Sequence, residues 1–532
     1  MKTLLSMFIA AALSLGALAA GLSANGIVVD GEVSCEQERR EFDDGSFAVR
    51  YIVGEGAGRV SREDTEWRLP VGATVWFQPG GGMEFIDYEA PYKTCKVADL
   101  RAGQLMAMPV TAKLPGGGYR VMTEANVVDW TDSALVYRGD GRFAIHYYAD
   151  RDGFEKKSAS TSPWRVMLAA ADLQALAAND IVRRLCPETT HPLDRRFAPS
   201  GRCIWHWLAM GDPVLAEQRD WYDKTARLGF EYYLIDEGWR KWGDDQGRWQ
   251  RLKECIDYGK SKGVGTFVWV DSKEMRTRDA ARAYLAKVAA VGAVGIKIDF
   301  FPAATADTMR RYEELLEDTY AAGLRVDFHG CVKPSGREKT WPHEIAREAI
   351  RGHEWHITRY HRVLDPSHDA ILPFCRLVQG HGDYTPLVFT RKELVHFTWA
   401  RELAQAIVFA CPFLCFGDYP QEYLANPAVE LIKALPAEYD ETRVLAGSEI
   451  GECVALARRK GETWFIAVEN GAKEREIVLD FSFLSRPVSA TAYGDSPDGR
   501  LDAYAVETYT ATPGMTKTLR LRPCGGYAAM LK

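Results

Sequence analysis

The chain has 532 residues and a formal net charge of −7, and 47% of its residues are hydrophobic and 26% charged. This length suggests about three domains, and the composition is that of an ordinary soluble globular protein. Since the sequence contains no basic stripe and no block of lysine and arginine, we expect no nucleic-acid binding, which needs clustered positive charge.

The first residues predict a secretory signal peptide. A lysine, a short apolar run and the small-residue ending Ala17-Leu18-Ala19 match the parts of such a peptide over residues 1–19. The apolar run is short and no second hydrophobic span follows, so we expect no membrane insertion. The predicted mature protein is secreted.

Residues 20–190 are predicted to form a β-domain. Short segments such as FAVRYIVG and RFAIHYYAD alternate apolar and polar residues and lie between clusters of Gly, Asp and Pro. This pattern is typical of a β-sandwich. Pro187, Pro192 and Pro199 mark a linker to the next domain.

Residues 191–435 show a different pattern, in which short apolar strands alternate with amphipathic helical stretches. Units of this kind indicate a parallel sheet, and the region has about the right length for a (β/α)8 barrel. A doubly wound open sheet is the alternative, but no glycine fingerprint opens the first βα turn. Residues 436–532 are strand-like again and predict a small β-sandwich.

Ionisable residues close several predicted barrel strands, namely Asp236, Glu237, Asp271, Asp299 and His329. A single strand-end aspartate is often only a helix cap, but repeated strand ends of this kind are harder to explain that way. Active sites of such barrels lie at the C-terminal ends of the strands. We therefore predict a site at this end of the barrel.

Asp299 ends the segment GAVGIKIDFF, which is otherwise typical of a buried strand. Burying an unpaired carboxylate costs free energy, so this aspartate needs a partner or a function. Lys297 lies two residues earlier and points to the same side of the strand. Its positive charge is expected to help keep Asp299 ionised.

Two glutamates, Glu348 and Glu354, lie six residues apart in the polar segment 326–355. If a helix ends near Gly352, Glu348 lies in its last turns and Glu354 in the following loop, and the two carboxylates converge. Three interpretations remain open: a solvated acidic helix, a site for a hard cation such as Ca²⁺, or a general acid/base partner for Asp299.

The chain resembles glycoside hydrolase family 97, the calcium-dependent α-glycosidases of the polysaccharide-degrading periplasm. The resemblance runs from about Val28 to the C-terminus and includes the ordered motifs YRVMTEAN, YYLIDEGW, GIKIDFF and LPFCRLVQGHGDYTP. It implies an N-terminal β-super-sandwich, which is shortened in this chain, followed by a catalytic (β/α)8 barrel and a C-terminal β-sandwich. It also implies a bound Ca²⁺ and a periplasmic location.

The resemblance assigns roles to individual residues. Asp299 matches the catalytic nucleophile and Glu354 the general acid/base, whose pKa must then be raised. The positions that match calcium ligands are Glu124, Glu348 and Glu354. The candidate substrate-binding residues are Asp236, Trp239, Lys297, His329 and Asp383; Trp269 is a further candidate for stacking on a sugar, or a core residue.

The branch of the family decides the expected chemistry. Its inverting members lack the strand-four aspartate and place a base glutamate just after the histidine of strand five, where this chain has Gly330. The resemblance therefore implies the retaining branch and an exo-acting α-galactosidase on oligosaccharide or polysaccharide-derived α-galactosides. The alternatives are an α-glucosidase, a β-L-arabinopyranosidase and, in another class, a catalytically silent carbohydrate-binding protein.

Overall fold

The computed structural model describes residues 21–30, 34–56, 58–81, 86–156 and 158–532. The predicted signal peptide, residues 1–19, lies outside these described residues. Within them, none of the helices has the length and apolar character needed to cross a bilayer.

Among the described residues, thirteen antiparallel strands form the N-terminal part of the chain, and the predicted all-β character of this region is confirmed. The strands are β1 (Gly21–Asp30), β2 (Cys35–Glu41), β3 (Phe47–Val53), β4 (Gly58–Arg68), β5 (Thr74–Pro79), β6 (Lys93–Lys96), β7 (Leu105–Lys113), β8 (Tyr119–Ala125), β9 (Ala134–Gly139), β10 (Arg142–His146), β11 (Phe154–Lys156), β12 (Ser160–Thr161) and β13 (Trp164–Ala170). The main path of the sheet is β1-β4-β10-β9-β7-β8-β13-β3-β12, from which β2, β5, β6 and β11 branch.

The strands of this domain differ in how they are covered. In β4 the side chains of Glu63, Thr65 and Trp67 are buried while those between them are not, which is the alternation of a sheet with one solvated face. Strand β13 is buried throughout. Its neighbour β8 is covered by the barrel, since the Gln379 side-chain amide donates to the Glu124 carbonyl oxygen at 2.7 Å.

Seven parallel strands form the central barrel: β14 (Gly201–Trp205), β15 (Tyr232–Ile235), β16 (Gly265–Asp271), β17 (Gly295–Asp299), β18 (Arg325–Phe328), β19 (Glu344–Arg347) and β20 (Phe413–Phe416). They pair in the order β19-β18-β17-β16-β15-β14-β20. Strand β17 approaches β16 closely at Gly295, where a Cβ atom would meet the Phe267 ring at 2.2 Å. The predicted parallel β/α barrel is confirmed.

One of the eight expected barrel strands is not a regular strand. In the described chain, segment 383–387 lies between β19 and β20: its Tyr384 carbonyl accepts from His353 N at 2.7 Å, and its Pro386 carbonyl accepts from Gly417 N at 3.3 Å. Thr385 and Leu387 have positive φ angles of 56° and 75°. A β-ladder needs extended backbone, so these two residues prevent the segment from forming a paired strand. The segment fills the gap between β19 and β20 through its carbonyl groups instead.

The helices lie around the barrel and at its junctions. They are α1 (Leu173–Ala177), α2 (Ile181–Arg184), α3 (Trp207–Met210), α4 (Gln218–Leu228), α5 (Asp245–Ser261), α6 (Arg278–Ala290), α7 (Ala306–Ala322), α8 (Pro366–Asp369), α9 (Arg391–Leu394), α10 (Trp399–Val408), α11 (Pro420–Ala425) and α12 (Val429–Ala434). The side chains of Thr277 and Thr305 cap α6 and α7 by accepting from backbone N–H groups. Gly229 and Gly323 end α4 and α7 in the left-handed conformation.

The C-terminal part is antiparallel, with strands β21 (Glu441–Val444), β22 (Cys453–Lys460), β23 (Thr463–Asn470), β24 (Arg475–Asp480), β25 (Val488–Asp495), β26 (Tyr504–Ala511), β27 (Thr516–Leu521) and β28 (Gly526–Leu531). Six of them form one sheet in the order β21-β22-β23-β28-β25-β26, and β24 pairs with β27. Ile466 of the large sheet and Ile477 and Leu519 of the small one share a hydrophobic core.

A buried lysine joins the barrel to the N-terminal domain. Lys333 follows β18, and its side chain is 0% exposed. Its ammonium group lies 2.5 Å from both the Glu124 and the Asp132 carboxylates, while Arg165 pairs with Glu124 from the neighbouring strand. This contact fixes the loop after β18 against the N-terminal domain.

Candidate active site

Asp299 is the last residue of β17 and is buried, with 7% of its surface exposed. The Trp269 indole donates to Oδ2 at 2.8 Å, and the Phe300 backbone N–H donates to Oδ1 at 2.7 Å. Gly330 faces the same carboxylate, since a Cβ atom at this position would lie 2.8 Å from Oδ1. The absence of a side chain at residue 330 therefore keeps one side of Asp299 open.

Burial raises the pKa of Asp299, and the positive charges of His329 and Lys297 oppose that rise without cancelling it. The expected role of Lys297 in keeping Asp299 ionised thus holds only in part. Its main partner is Asp236, which lies 3.0 Å from the Lys297 Nζ.

Asp236 and Lys297 form a buried ion pair at the strand ends. Burial alone would lower the pKa of Lys297, but the Asp236 carboxylate reverses this and holds the pKa well above its ordinary value. The Trp205 indole also donates to Asp236, at 2.7 Å, and the Lys297 ammonium lies 4.7 Å from the centre of the Trp205 ring. A charged donor and a charged acceptor are therefore held together beside Asp299.

His329 connects two further carboxylates. Its Nδ1 lies 2.9 Å from Glu348, and its Nε2 lies 3.3 Å from Asp383. Burial would lower the pKa of His329, but Glu348, together with Asp383, raises it well above the ordinary value. The Gly330 N–H also donates to Glu348 at 2.7 Å. Glu348 is therefore an ionised, fixed acceptor, and its pKa is lowered by His329 against the effect of burial.

The predicted helix around Glu348 is wrong. Glu348 directly follows strand β19, and Glu354 lies in the single 3-10 turn His353–Trp355. The two carboxylates nevertheless converge. One oxygen of Glu348, one oxygen of Glu354 and one ring nitrogen of His329 all lie within 4.8 Å of one another. The convergence comes from a strand end followed by a loop.

Glu354 has the electrostatics expected of a general acid. Burial raises its pKa to about 7, and Lys297 and His329 only partly oppose this rise. Its Oε2 atom is buried and has no hydrogen-bond partner among the described residues. A buried carboxyl without a donor is readily kept protonated near neutral pH.

Glu89 is a third carboxyl group at this cluster and was not predicted from the sequence. Glu348 raises the pKa of Glu89 to about 9, with further contributions from burial and from Glu354. Glu89 lines the same cavity as Asp299 and Glu354. No sequence pattern marks Glu89, because its position depends on how the N-terminal domain packs on the barrel.

The expected position of Glu124 at this cluster is wrong. Glu124 lies inside the N-terminal domain, fully buried, where its two carboxylate oxygens are bound by Lys333 and Arg165. Both oxygens of Glu124 are bound to cations, and the Ser133 N–H adds a further hydrogen bond, so this carboxylate belongs to an internal ion-pair network away from the cavity. The N-terminal residue that the structure brings to Glu348 and Glu354 is Glu89.

The remaining carboxylates fit a hard cation. Ligand atoms of Glu348, Glu354 and His329 lie within 4.8 Å of one another, and Glu354 has an unpartnered oxygen. Glu89 lines the same cavity and adds a carboxylate, the kind of ligand that Ca²⁺ prefers. The raised pKa of Glu89 reflects negative charge that its neighbours do not balance. A divalent ion would supply the missing positive charge.

The structure separates the two tryptophan candidates. Trp239 is 0% exposed, packs edge-on against Trp249 at 5.0 Å, and donates to the Trp269 carbonyl oxygen at 3.0 Å. It is therefore a core residue, and its predicted contact with a sugar is wrong. Trp269 lines the cavity instead.

These side chains surround a cavity of about 170 Å³ at the C-terminal ends of the strands. Five of the candidate residues line it, namely Asp236, Lys297, Asp299, His329 and Glu354. Asp383 does not line the cavity, but it binds His329, which does. Trp207, Phe300, Trp355 and Arg362 also line the cavity.

Three family models match the chain in order. The model of the glycoside hydrolase 97 N-terminal domain matches residues 25–187, the glycoside hydrolase 97 model matches residues 214–350, and the model described as the C-terminal, oligomerisation domain matches residues 438–532.

Two curated proteins are similar over most of the chain. A "probable retaining alpha-galactosidase" of Streptomyces bingchenggensis is 29% identical over 94% of this chain and 78% of its own length. A "retaining alpha-galactosidase" of Bacteroides thetaiotaomicron is 25% identical over 96% of this chain and 85% of its own.

Solved structures share the fold. A beta-arabinopyranosidase superposes with a TM-score of 0.81 at 22% identity, covering 96% of this chain and 91% of its own. A glycoside hydrolase family 97 enzyme of Pseudoalteromonas sp. strain K8, solved with panose, gives a TM-score of 0.79 at 20% identity, with coverages of 96% and 92%.

Proposed function

The chain belongs to glycoside hydrolase family 97, and on this premise we propose that it is a secreted, exo-acting, retaining α-galactosidase. One observation carries the proposal: the carboxyl groups of Asp299 and Glu354 line the same cavity at the C-terminal ends of the barrel strands. The curated relatives that carry the name retaining alpha-galactosidase support it.

In the proposed reaction, Asp299 attacks the anomeric carbon while Glu354 gives its proton to the leaving oxygen. The bond between sugar and aglycone breaks, and a β-linked glycosyl ester forms on Asp299. Glu354, now ionised, takes a proton from a water molecule that attacks the same carbon and releases the sugar with its original α configuration. The open side of Asp299 at Gly330 supports the nucleophilic role, since a larger side chain would contact the attacking group.

The surrounding residues hold the sugar. The Asp236–Lys297 pair offers both an acceptor and a donor to neighbouring hydroxyl groups. His329, whose two ring nitrogens bind Glu348 and Asp383, lines the cavity beside this pair. A cavity of about 170 Å³ is small compared with the pockets that take drug-sized ligands, which supports binding of one terminal sugar unit.

Glu89, Glu348 and Glu354 are the residues that would hold a Ca²⁺ ion. When bound, such an ion would balance the charge of the cluster and fix the N-terminal domain at the barrel end. Burial and the neighbouring Glu348 and Asp299 carboxylates keep the proton affinity of Glu354 high.

A second candidate activity is β-L-arabinopyranosidase. L-Arabinopyranose is a galactose-configured pentose, so it presents the same ring hydroxyls to the cavity, and a solved structure of similar fold carries this activity in its name. Secretion to the periplasm is proposed from residues 1–19, and detection of the processed protein in a periplasmic fraction tests it.

An NMR time course of aryl α-galactoside hydrolysis tests the proposed function. We expect α-galactose to appear first, and an Asp299→Gly variant to recover turnover with azide by forming β-galactosyl azide. First appearance of β-galactose would contradict the carboxylate roles. A panel of nitrophenyl glycosides, with and without chelator, compares α-galactoside with β-L-arabinopyranoside and α-glucoside, and cleavage of none of them would favour a silent binding protein.

A further inference from the structure

We propose that Trp269 is a positioning residue for the nucleophile: its indole N–H orients the Asp299 carboxylate and favours its ionised form. This inference rests on the proposed role of Asp299 but not on the identity of the sugar. It concerns a hydrogen bond of 2.8 Å between the Trp269 Nε1 and the Asp299 Oδ2 atoms.

The Trp269 ring is held in place from several directions. It lies in β16, beside Lys297 of β17 in the parallel register, and it is 1% exposed. The Trp239 indole binds the Trp269 carbonyl oxygen at 3.0 Å, and the Arg240 guanidinium lies 5.2 Å from the ring centre. The N–H group therefore points at Asp299 in a fixed direction.

The two oxygens of Asp299 each receive one fixed donor. Trp269 donates to Oδ2, and the Phe300 backbone N–H donates to Oδ1. The Phe300 φ angle of 61° is uncommon for a residue other than glycine, and Phe300 is 52% exposed, so burial of its ring does not account for this conformation. The conformation instead accompanies the bond from its N–H to the carboxylate.

An indole N–H can donate but cannot accept a hydrogen bond. Both donors bind the ionised carboxylate more strongly than the neutral carboxyl group, because a charged oxygen is the better acceptor. Protonation of Asp299 therefore weakens both bonds. The pair of donors thus opposes burial, which on its own raises the pKa of Asp299.

The test compares two tryptophan-to-phenylalanine variants of the full chain. Trp269→Phe removes the donor to Asp299. The matched control is Trp249→Phe, because the Trp249 indole N–H is buried and has no hydrogen-bond partner among the described residues. The assay uses whichever nitrophenyl glycoside the wild-type enzyme cleaves.

For Trp269→Phe we expect kcat/KM to fall about 10- to 100-fold, as for loss of a hydrogen bond to a charged group. The inhibition constant of the free sugar should stay within about threefold, because binding of the ground state needs no nucleophile. The acidic limb of the kcat/KM profile should move to higher pH, since the other charged groups facing Asp299, namely His329, Lys297, Glu348 and Glu354, are unchanged. Trp249→Phe should change none of these three quantities.

If Trp269→Phe does not fold, a second variant tests the same role. In it Trp269 is replaced by β-(3-benzothienyl)alanine, which keeps the ring shape and lacks the N–H. A wild-type rate and pH profile in this protein would overturn the proposal. Equal losses in rate and in sugar affinity, together with an unchanged acidic limb of the pH profile, would also overturn it, because they would show that Trp269 acts only through packing. Azide rescue of Asp299→Gly together with an unaffected Trp269→Phe would reject the role of Trp269 alone, whereas absence of azide rescue would reject the proposed function.

Discussion

Gly330 offers the sharpest test of the geometry around the nucleophile. Its φ angle is 48°, and a Cβ atom added there would lie 2.8 Å from Asp299 Oδ1 and 2.8 Å from Phe300 N. The left-handed backbone costs an alanine about 1–2 kcal/mol. Since both contacts are shorter than atoms tolerate, the Asp299 carboxylate and the Phe300 backbone must also move, and a displacement of about 1 Å can reduce a rate about 100-fold.

We therefore expect Gly330→Ala to lose about 1–2 kcal/mol of stability and about 100-fold in kcat/KM on an aryl α-galactoside. The control is Gly229→Ala at the end of α4, where φ is 72° and no atom lies within 4 Å of the added Cβ. This control should lose similar stability and keep its activity. Thermal unfolding and initial rates measure the two effects separately, and equal activity in the two variants would refute the reasoning.

Three further predictions follow from the charges and packing around the site. Because the pKa of Glu89 is raised from 4.5 to about 9, the folded protein loses stability as pH rises between these values. In chelator-treated protein, Glu89→Gln should therefore have a higher Tm than the wild type, by a margin that grows from about pH 5 to about pH 8. Added Ca²⁺ should raise the Tm of the wild type more than that of the variant. A Tm difference independent of pH would contradict this prediction. Glu124→Gln should cost about 1.5–3 kcal/mol with or without Ca²⁺, because Lys333 and Arg165 each lose one carboxylate partner and keep only Asp132 and Glu63. Denaturant unfolding in both conditions checks this, and a loss seen only with Ca²⁺ would return Glu124 to the metal site. Trp239→Leu should lower the Tm and leave the inhibition constant of the free sugar within about threefold, as expected of a core residue. A large loss of sugar affinity at unchanged Tm would show that Trp239 contacts the sugar instead.

The sequence was informative wherever a local pattern determines the structure. Apolar strands that end in Asp236, Asp299 and His329 predicted both the barrel and the end at which its site lies, because parallel strands bring their carboxyl ends together. The resemblance then identified Glu354, which lies in a loop that no periodicity marks.

The sequence was uninformative where distant parts of the chain meet. Glu89 reaches the cluster only because its segment packs on the barrel, where Arg351 binds its carbonyl oxygen. Glu124 looked available as a ligand because its partners Lys333 and Arg165 lie far from it in sequence. Trp239 and Trp269 both follow or end apolar segments, and only the direction of each side chain decides which one meets the cavity.

The burial of Lys333 in the N-terminal domain affects the order in which the protein assembles. Glu124 and Asp132 are synthesised about 200 residues before the lysine that neutralises them, as the two contacts span 209 and 201 positions. Before Lys333 is synthesised and packed in place, the N-terminal sheet contains more acidic than basic buried groups. If the sheet folded without Lys333, it would bury unbalanced charge. The loop that follows β18 thus supplies both Lys333 to the N-terminal domain and Gly330 to the catalytic cavity, and we expect the N-terminal domain to reach its full stability only after this loop has docked.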